Sequence, residues 1–165
     1  MDADVRLSPR REGDALWMAR ALEMARVARL REEVPVGAVL VRGKDLVAEG
    51  HNLTLMESDP TAHAEIVVIR AGAGERGYPR LEDCTLYVTL EPCACCAGAI
   101  VLARISRVVY GAADPKAGMA GSLENLLQDP RLNHRAEVTA GVLASASADL
   151  LTSFFRARRR GEGGR

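Results

Sequence analysis

An α/β sandwich of three layers is the fold this sequence predicts, and two observations predict it. After one hairpin, segments of strand character alternate with segments of helical period. The 165 residues, 48% hydrophobic and 27% charged, suffice to bury one core and no more.

Each element has its own signal. Asp14 reads as an N-cap, and Leu16, Ala19, Leu22, Met24, Ala25 and Val27 recur at helical spacing to about Glu32, before Pro35. "VGAVLVR" and "LVAEGH" read as two strands around the turn "RGKD". "NLTLMESDP" reads as loop. Asp59, Pro60 and Thr61 announce a helix from near Thr61 to about Ala71, and "GAGERGYPR" reads as loop. "CTLYVTL" is a strand. Pro92 opens a helix through about Ala103, and "RVVYG" is a short strand. "AADPKAGMAGS" is a loop, "AEVTAG" a last strand, and a helix from about Ala144 to Arg159 closes the chain. The expected division is an N-terminal flexible extension over 1–13, one domain over 14–160 and a flexible tail over 161–165.

Acids and bases number 22 each, so no global field selects a charged partner. The exception is local: "RARRRGEGGR" from Arg156 carries five arginines against one glutamate. The N-terminus has no apolar core of a signal peptide, and no apolar run approaches the ~18 residues of a membrane span. A soluble cytosolic protein is expected, in which four cysteines suggest metal or catalysis rather than disulfides.

Three of those cysteines fall within "PCACC". Cys93 and Cys96, three apart at the start of a helix, share a face, where unpaired N–H groups favour thiolate. Cys95 lies about 100° round from Cys96 and reads as a small buried residue; Cys84 reads as structural. Two thiolates are too few for zinc, which takes four protein ligands in a structural site and three plus water in a catalytic one. His63, in "DPTAHAEI", supplies the third. With Glu65 two residues on and Cys93 28 residues beyond that, the chain carries the H-x-E…P-C-x-x-C pattern of zinc nucleobase deaminases. The residue types suit the chemistry. The metal lowers the pKa of water toward ~7, and a carboxylate that is not a ligand accepts and returns protons.

From about Asp14 to Arg160 the chain resembles the bacterial tRNA-specific adenosine deaminases, through "EVPVGAVLV", "HN", "DPTAHAEI", "TLYVTLEPC", "CAGA", "RVVYGAADPKAG", "AGS", "NHR" and "SFFRARRR". The H-x-E…P-C-x-x-C pattern is itself defined on such deaminases, so the two readings are not independent. The resemblance implies a cytidine deaminase-like fold, with a five-stranded mixed sheet and helices on both faces, and a homodimer. It implies one zinc per subunit on His63, Cys93 and Cys96, no nucleotide cofactor, and a substrate in the anticodon stem-loop of a tRNA, an arginine tRNA being expected. The wobble adenosine becomes inosine as water activated by the zinc attacks C6 and Glu65 shuttles protons.

The resemblance further implies that Asn52, Asp114, Asn133 and Phe155 bind substrate, and that Arg156, Arg158, Arg159 and Arg160 approach stem phosphates. Simpler roles stand beside these: Asn52 as a loop cap, Asp114 as a turn former with Pro115, Phe155 as core, the arginines as a solvated tail. His51 departs from an aromatic found in some relatives, and Cys95 sits at a variable position. "AGAIVLA", residues 97 to 103, is apolar all round, which predicts burial on every side and suits a partner subunit. Two other functions share parts of the pattern. A deaminase of free bases or nucleosides would share the zinc core but not the basic helix. A zinc module without activity would need a fourth ligand and gives no reason for Glu65.

Overall fold

The computed structural model describes residues 9–162. In chain order the elements are α1 (Pro9–Leu30), β1 (Gly37–Arg42), β2 (Asp45–His51), α2 (Ala64–Arg76), β3 (Cys84–Leu90), α3 (Ala94–Ala103), β4 (Arg107–Ala112), a 3-10 turn at Leu126–Gln128, β5 (Glu137–Thr139) and α4 (Ala144–Glu162). The strands form one mixed sheet in the order β2-β1-β3-β4-β5. β1 runs antiparallel to β2 and β3, while β3, β4 and β5 run parallel.

Strand alternation divides the core. Ala38, Leu40, Leu86, Val88 and Val108 face the α2–α3 layer. Val39, Val41, Tyr87 and Val109 face the layer of α1, which brings Met18 and Ala21. The register also brings His51 level with Gly37, Ala38 with Val88, and Leu90 with Ala112. The segments that leave β2, β3 and β4 therefore start from one end of the sheet, at the carboxyl ends of those strands, where ligand sites of α/β folds commonly form.

Six readings of the sequence change here. Asp14 is not an N-cap: α1 begins at Pro9, and Asp14 lies inside it, 4% exposed. Its carboxylate accepts a forked pair of bonds from Arg107, both at 2.7 Å, and one from the Tyr87 hydroxyl at 3.0 Å. Burial pushes its pKa up, but Arg107 outweighs that and holds it below the usual carboxylate range. The proposed extension 1–13 thus enters the fold at residue 9, and its first eight residues lie outside the described part, as do residues 163–165 of the tail.

α2 begins at Ala64 rather than Thr61, because Asp59 accepts from both the N–H and the hydroxyl of Thr61 and makes a turn first. It continues through "GAGER", read as loop. Gly72 lets the helix pack closely there: a Cβ would lie 2.5 Å from Leu40 Cδ2 on β1, so a larger residue would make that leucine shift. α3 begins at Ala94, with Cys93 as its extended N-cap, not at Pro92. Finally, α3 is not buried on every side within the chain: Ile100 is fully buried while Leu102 is 81% exposed. No helix among the described residues is long and apolar enough to cross a membrane.

Candidate active site

At that end of the sheet the N-termini of α2 and α3 meet. His63 is the N-cap of α2 (φ −70°, ψ 156°) and Cys93 the N-cap of α3 (φ −76°, ψ 178°), with Cys96 one turn further on. The His63 Nδ1 lies 3.5 Å from the Cys93 sulfur and 3.4 Å from the Cys96 sulfur, and all three donor atoms lie within 4.8 Å of one another. Tetrahedral zinc with ordinary Zn–N and Zn–S bonds would set the nitrogen about 3.6 Å from each sulfur. The spacing and the N,S,S donor set therefore fit a zinc ion with a fourth position left open.

Electrostatics support the same set. Cys93 is lowered to about 3, first by the hydrogen bond from the Cys96 thiol and then by His63. The Cys93 sulfur in turn raises the imidazole of His63, and its hydrogen bond together with burial pushes Cys96 well up. The protein alone thus favours one thiolate and one thiol; a divalent cation would favour both as thiolates.

Glu65, 4% exposed, sits beside Cys96 and lines the same cleft, and burial pushes its pKa up to about 7. A carboxyl near that value exchanges protons in both directions at neutral pH. The cleft is small, about 230 Å³, and is lined by Asn52, His63, Glu65, Glu91, Cys93 and Asp114 among others. That is below the usual range of ~300–1,000 Å³ for drug-sized ligands and suits a single ring system. A wider groove of about 660 Å³ shares Val34, Leu90 and Asp114 with it and runs to Phe155 and Arg159 on α4.

The remaining candidates divide. Asn52 Oδ1 accepts the Ala64 N–H at 2.8 Å, so it caps α2 and has its amide N–H groups left to offer. Asp114 Oδ1 accepts the N–H groups of Lys116 and Ala117, so it does form the turn, with Oδ2 outside those bonds. Phe155 is half exposed, whereas its neighbour Phe154 is buried under the Arg158 guanidinium, 5.2 Å from the ring centroid. Arg156 and Arg160 are exposed and line neither cavity. Asn133 is not brought to the cleft: its carbonyl accepts from Arg104, the C-cap of α3, about 15 Å along a ten-residue helix from Cys93. His51 hydrogen-bonds the Asn52 carbonyl through Nδ1 and does not line the cleft.

Cys95 is exposed, not buried, and lies outside the donor cluster. Cys95→Ala is therefore expected to retain one zinc per chain; metal content as low as that of a Cys93→Ala protein would move the ligand set.

Two residues escaped the sequence reading. Glu91 is 2% exposed and bonds the loop after β4. Glu33 is fully buried and accepts from the N–H groups of Leu55 and Met56 and the hydroxyl of Thr54. An acid ending the apolar run "CTLYVTL" was a usable signal for Glu91; nothing distinguished Glu33 from Glu32.

Comparison with known proteins completes the picture. The cytidine and deoxycytidylate deaminase zinc-binding region matches residues 11–112. A tRNA-specific adenosine deaminase of Bacillus subtilis is 50% identical over 147 residues, 89% of this chain and 91% of the relative. One of Haemophilus influenzae is 50% identical over 151 residues, 91% and 87% of the two chains. Among solved structures, one from a study of tRNA:A34 deaminases that edit the wobble position superposes with a TM-score of 0.80 at 46% identity, covering 82% of this chain and 99% of the other.

Proposed function

The chain belongs to the tRNA-specific adenosine deaminases and carries the zinc-binding region of the cytidine and deoxycytidylate deaminases, and from that premise we propose that it deaminates the wobble adenosine of a tRNA anticodon, in an arginine tRNA, to inosine. The observation that carries the chemistry is the convergence of His63, Cys93 and Cys96 beside the buried Glu65, at a cleft of about 230 Å³ that suits one nucleobase. Adenosine and water become inosine and ammonia.

His63 Nδ1 and the sulfurs of Cys93 and Cys96 would hold the zinc, whose contribution is Lewis acidity that makes water nucleophilic at neutral pH. Glu65 is not among the donors, so its carboxylate is left to take a proton from that water and return protons to the ring nitrogen and the leaving ammonia. The target must leave its stack to enter, which an anticodon loop permits at low cost. The Asn52 amide would donate to an edge of the target nucleotide, and Asp114 Oδ2 would accept from a neighbouring hydroxyl or amino group. Phe155 and Arg159, which line the adjoining groove, would meet the flanking nucleotides. Asn133, remote from the cleft, would touch RNA away from the target. A homodimer is part of the reading, supported by the apolar outer face of α3, where Cys95, Ala99 and Leu102 follow one another at helical spacing and are not buried within the chain. So is a cytoplasmic site of action, supported by tRNA as the substrate.

The test incubates the purified protein with an A34-containing arginine tRNA and, separately, with free nucleosides, and looks for inosine and uridine. Inosine at position 34 is expected; turnover of free nucleosides with inert tRNA would reassign the substrate. Arg156, Arg158, Arg159 and Arg160 are all exposed on α4, and phosphate contacts carry affinity with little sequence information. Neutralising the four should weaken binding of an anticodon stem-loop and flatten its salt dependence by about 0.7–0.9 in log–log slope per lost phosphate contact, with chemistry in the bound complex little changed. Binding equal to the parent at every salt concentration would remove α4 as the RNA platform.

A further inference from the structure

Glu91 follows β3 directly and is 2% exposed, yet all hydrogen-bond partners of its carboxylate are uncharged groups of one loop. Oε2 accepts the Asp114 N–H at 2.9 Å and the Ser122 hydroxyl; Oε1 accepts the N–H groups of Ala120 at 3.0 Å and Ser122 at 2.9 Å. The loop folds tightly over the carboxylate: a Cβ at Gly118 would lie 2.3 Å from Glu91 Cδ and Oε2. Gly118 in turn donates to the Asp114 carbonyl at 2.8 Å. One carboxylate thus fixes the Asp114 backbone, and the turn at Lys116 and Ala117 fixes its side chain beside the cleft.

We infer that Glu91 is a positioning residue for the deamination, acting through Asp114: it holds the 114–122 loop so that Asp114 meets the target nucleotide in register. This rests on the assignment of Asp114 to the substrate. An amide cannot replace the carboxylate, because its NH₂ faces loop N–H groups and leaves donors unsatisfied. Misplacement by about 1 Å commonly costs a reaction ~10²-fold.

The experiment is a double-mutant cycle on kcat/KM for an anticodon stem-loop, with zinc content measured on each protein and amide hydrogen exchange on the parent and the Glu91→Gln protein. Glu91→Gln should lower kcat/KM about 10²-fold with one zinc retained, and Gly118→Ala, which perturbs the same contact from the loop side, should match it. In the Asp114→Asn background the Glu91→Gln loss should shrink to less than about 3-fold, since residues that act as one unit are not additive. Exchange at Asp114, Ala120 and Ser122 should quicken while α2 and α3 keep their protection. A parent-like Glu91→Gln protein, a full loss on top of Asp114→Asn, or a parent-like Asp114→Asn protein would each overturn the inference. So would uniformly faster exchange or lost zinc, which would make Glu91 a general stabilising residue. Failure of the tRNA reading looks different: the parent itself would be inert on the RNA, and the exchange measurement would still decide whether Glu91 holds the loop.

Discussion

Glu65→Ala is expected to yield a folded, zinc-loaded protein whose single-turnover deamination falls by at least about 10²–10⁴-fold. Glu65 is the second residue of α2, two positions after the N-cap His63, so the helix turns it away from the imidazole and into the cleft. It lies outside the His63–Cys93–Cys96 cluster, so removing it leaves the donors in place. What disappears, on the proposed mechanism, is the group that moves protons, and because deamination moves more than one, the loss should reach or exceed a single general-base contribution. Burying this carboxyl costs stability at neutral pH, as its raised pKa shows, so the variant should melt no lower than the parent. That separates lost chemistry from lost fold. Glu65→Gln keeps the shape without the titrating group and should be as impaired. A Glu65→Ala protein with bound zinc and near-parent rate would remove Glu65 from the mechanism.

The three candidate metal donors could be picked out together because their information is local. C-x-x-C at a helix start and a histidine at another place three side chains at two helix N-termini, and a one-residue error at each start does not move them apart. Cys93 proved to be an N-cap rather than a first-turn residue, with the same convergence. Strands were legible from alternation, whereas the end of the sheet that carries the site depends on the pairing of β1 with β3 and of β3 with β4, which alternation does not give. What stayed hidden depends on partners distant in sequence. Asp14 looks like a cap until Arg107, 93 residues away, is seen to claim it. Gly72 looks like a helix breaker until Leu40 is seen pressed against it. Adjacent Phe154 and Phe155 carry no sequence mark of which is core and which faces the groove. Glu91 and Glu33 are ordinary acids until the loops they gather are folded round them.

Cys96→Ala is expected to abolish zinc binding and turnover together while leaving the sheet and its layers intact. The cysteine is 0% exposed and lies 3.4 Å from His63 Nδ1, so it is the deepest of the three donors and no water replaces it readily. Two remaining donors fall short of the three that a catalytic zinc site uses. The fold should survive, because the apolar clusters on both sheet faces consist of other residues. Bound metal stabilises only the native state, by about 2.7 kcal/mol when the free ion stands at 100 times its dissociation constant. For a chain of this length that corresponds to roughly 5–10 °C in Tm, at about 2–4 °C per kcal/mol. The parent should therefore lose about that much on chelation, whereas Cys96→Ala should melt at one temperature with or without chelator. Zinc content by metal analysis should fall from near one per chain to a trace. Cys95→Ala, exposed and outside the cluster, is the control and should behave as the parent in both measurements. If Cys96→Ala retained near-stoichiometric zinc and a chelator-sensitive Tm, the sulfur beside His63 would not be a ligand, and the metal centre would have to be rebuilt around other donors.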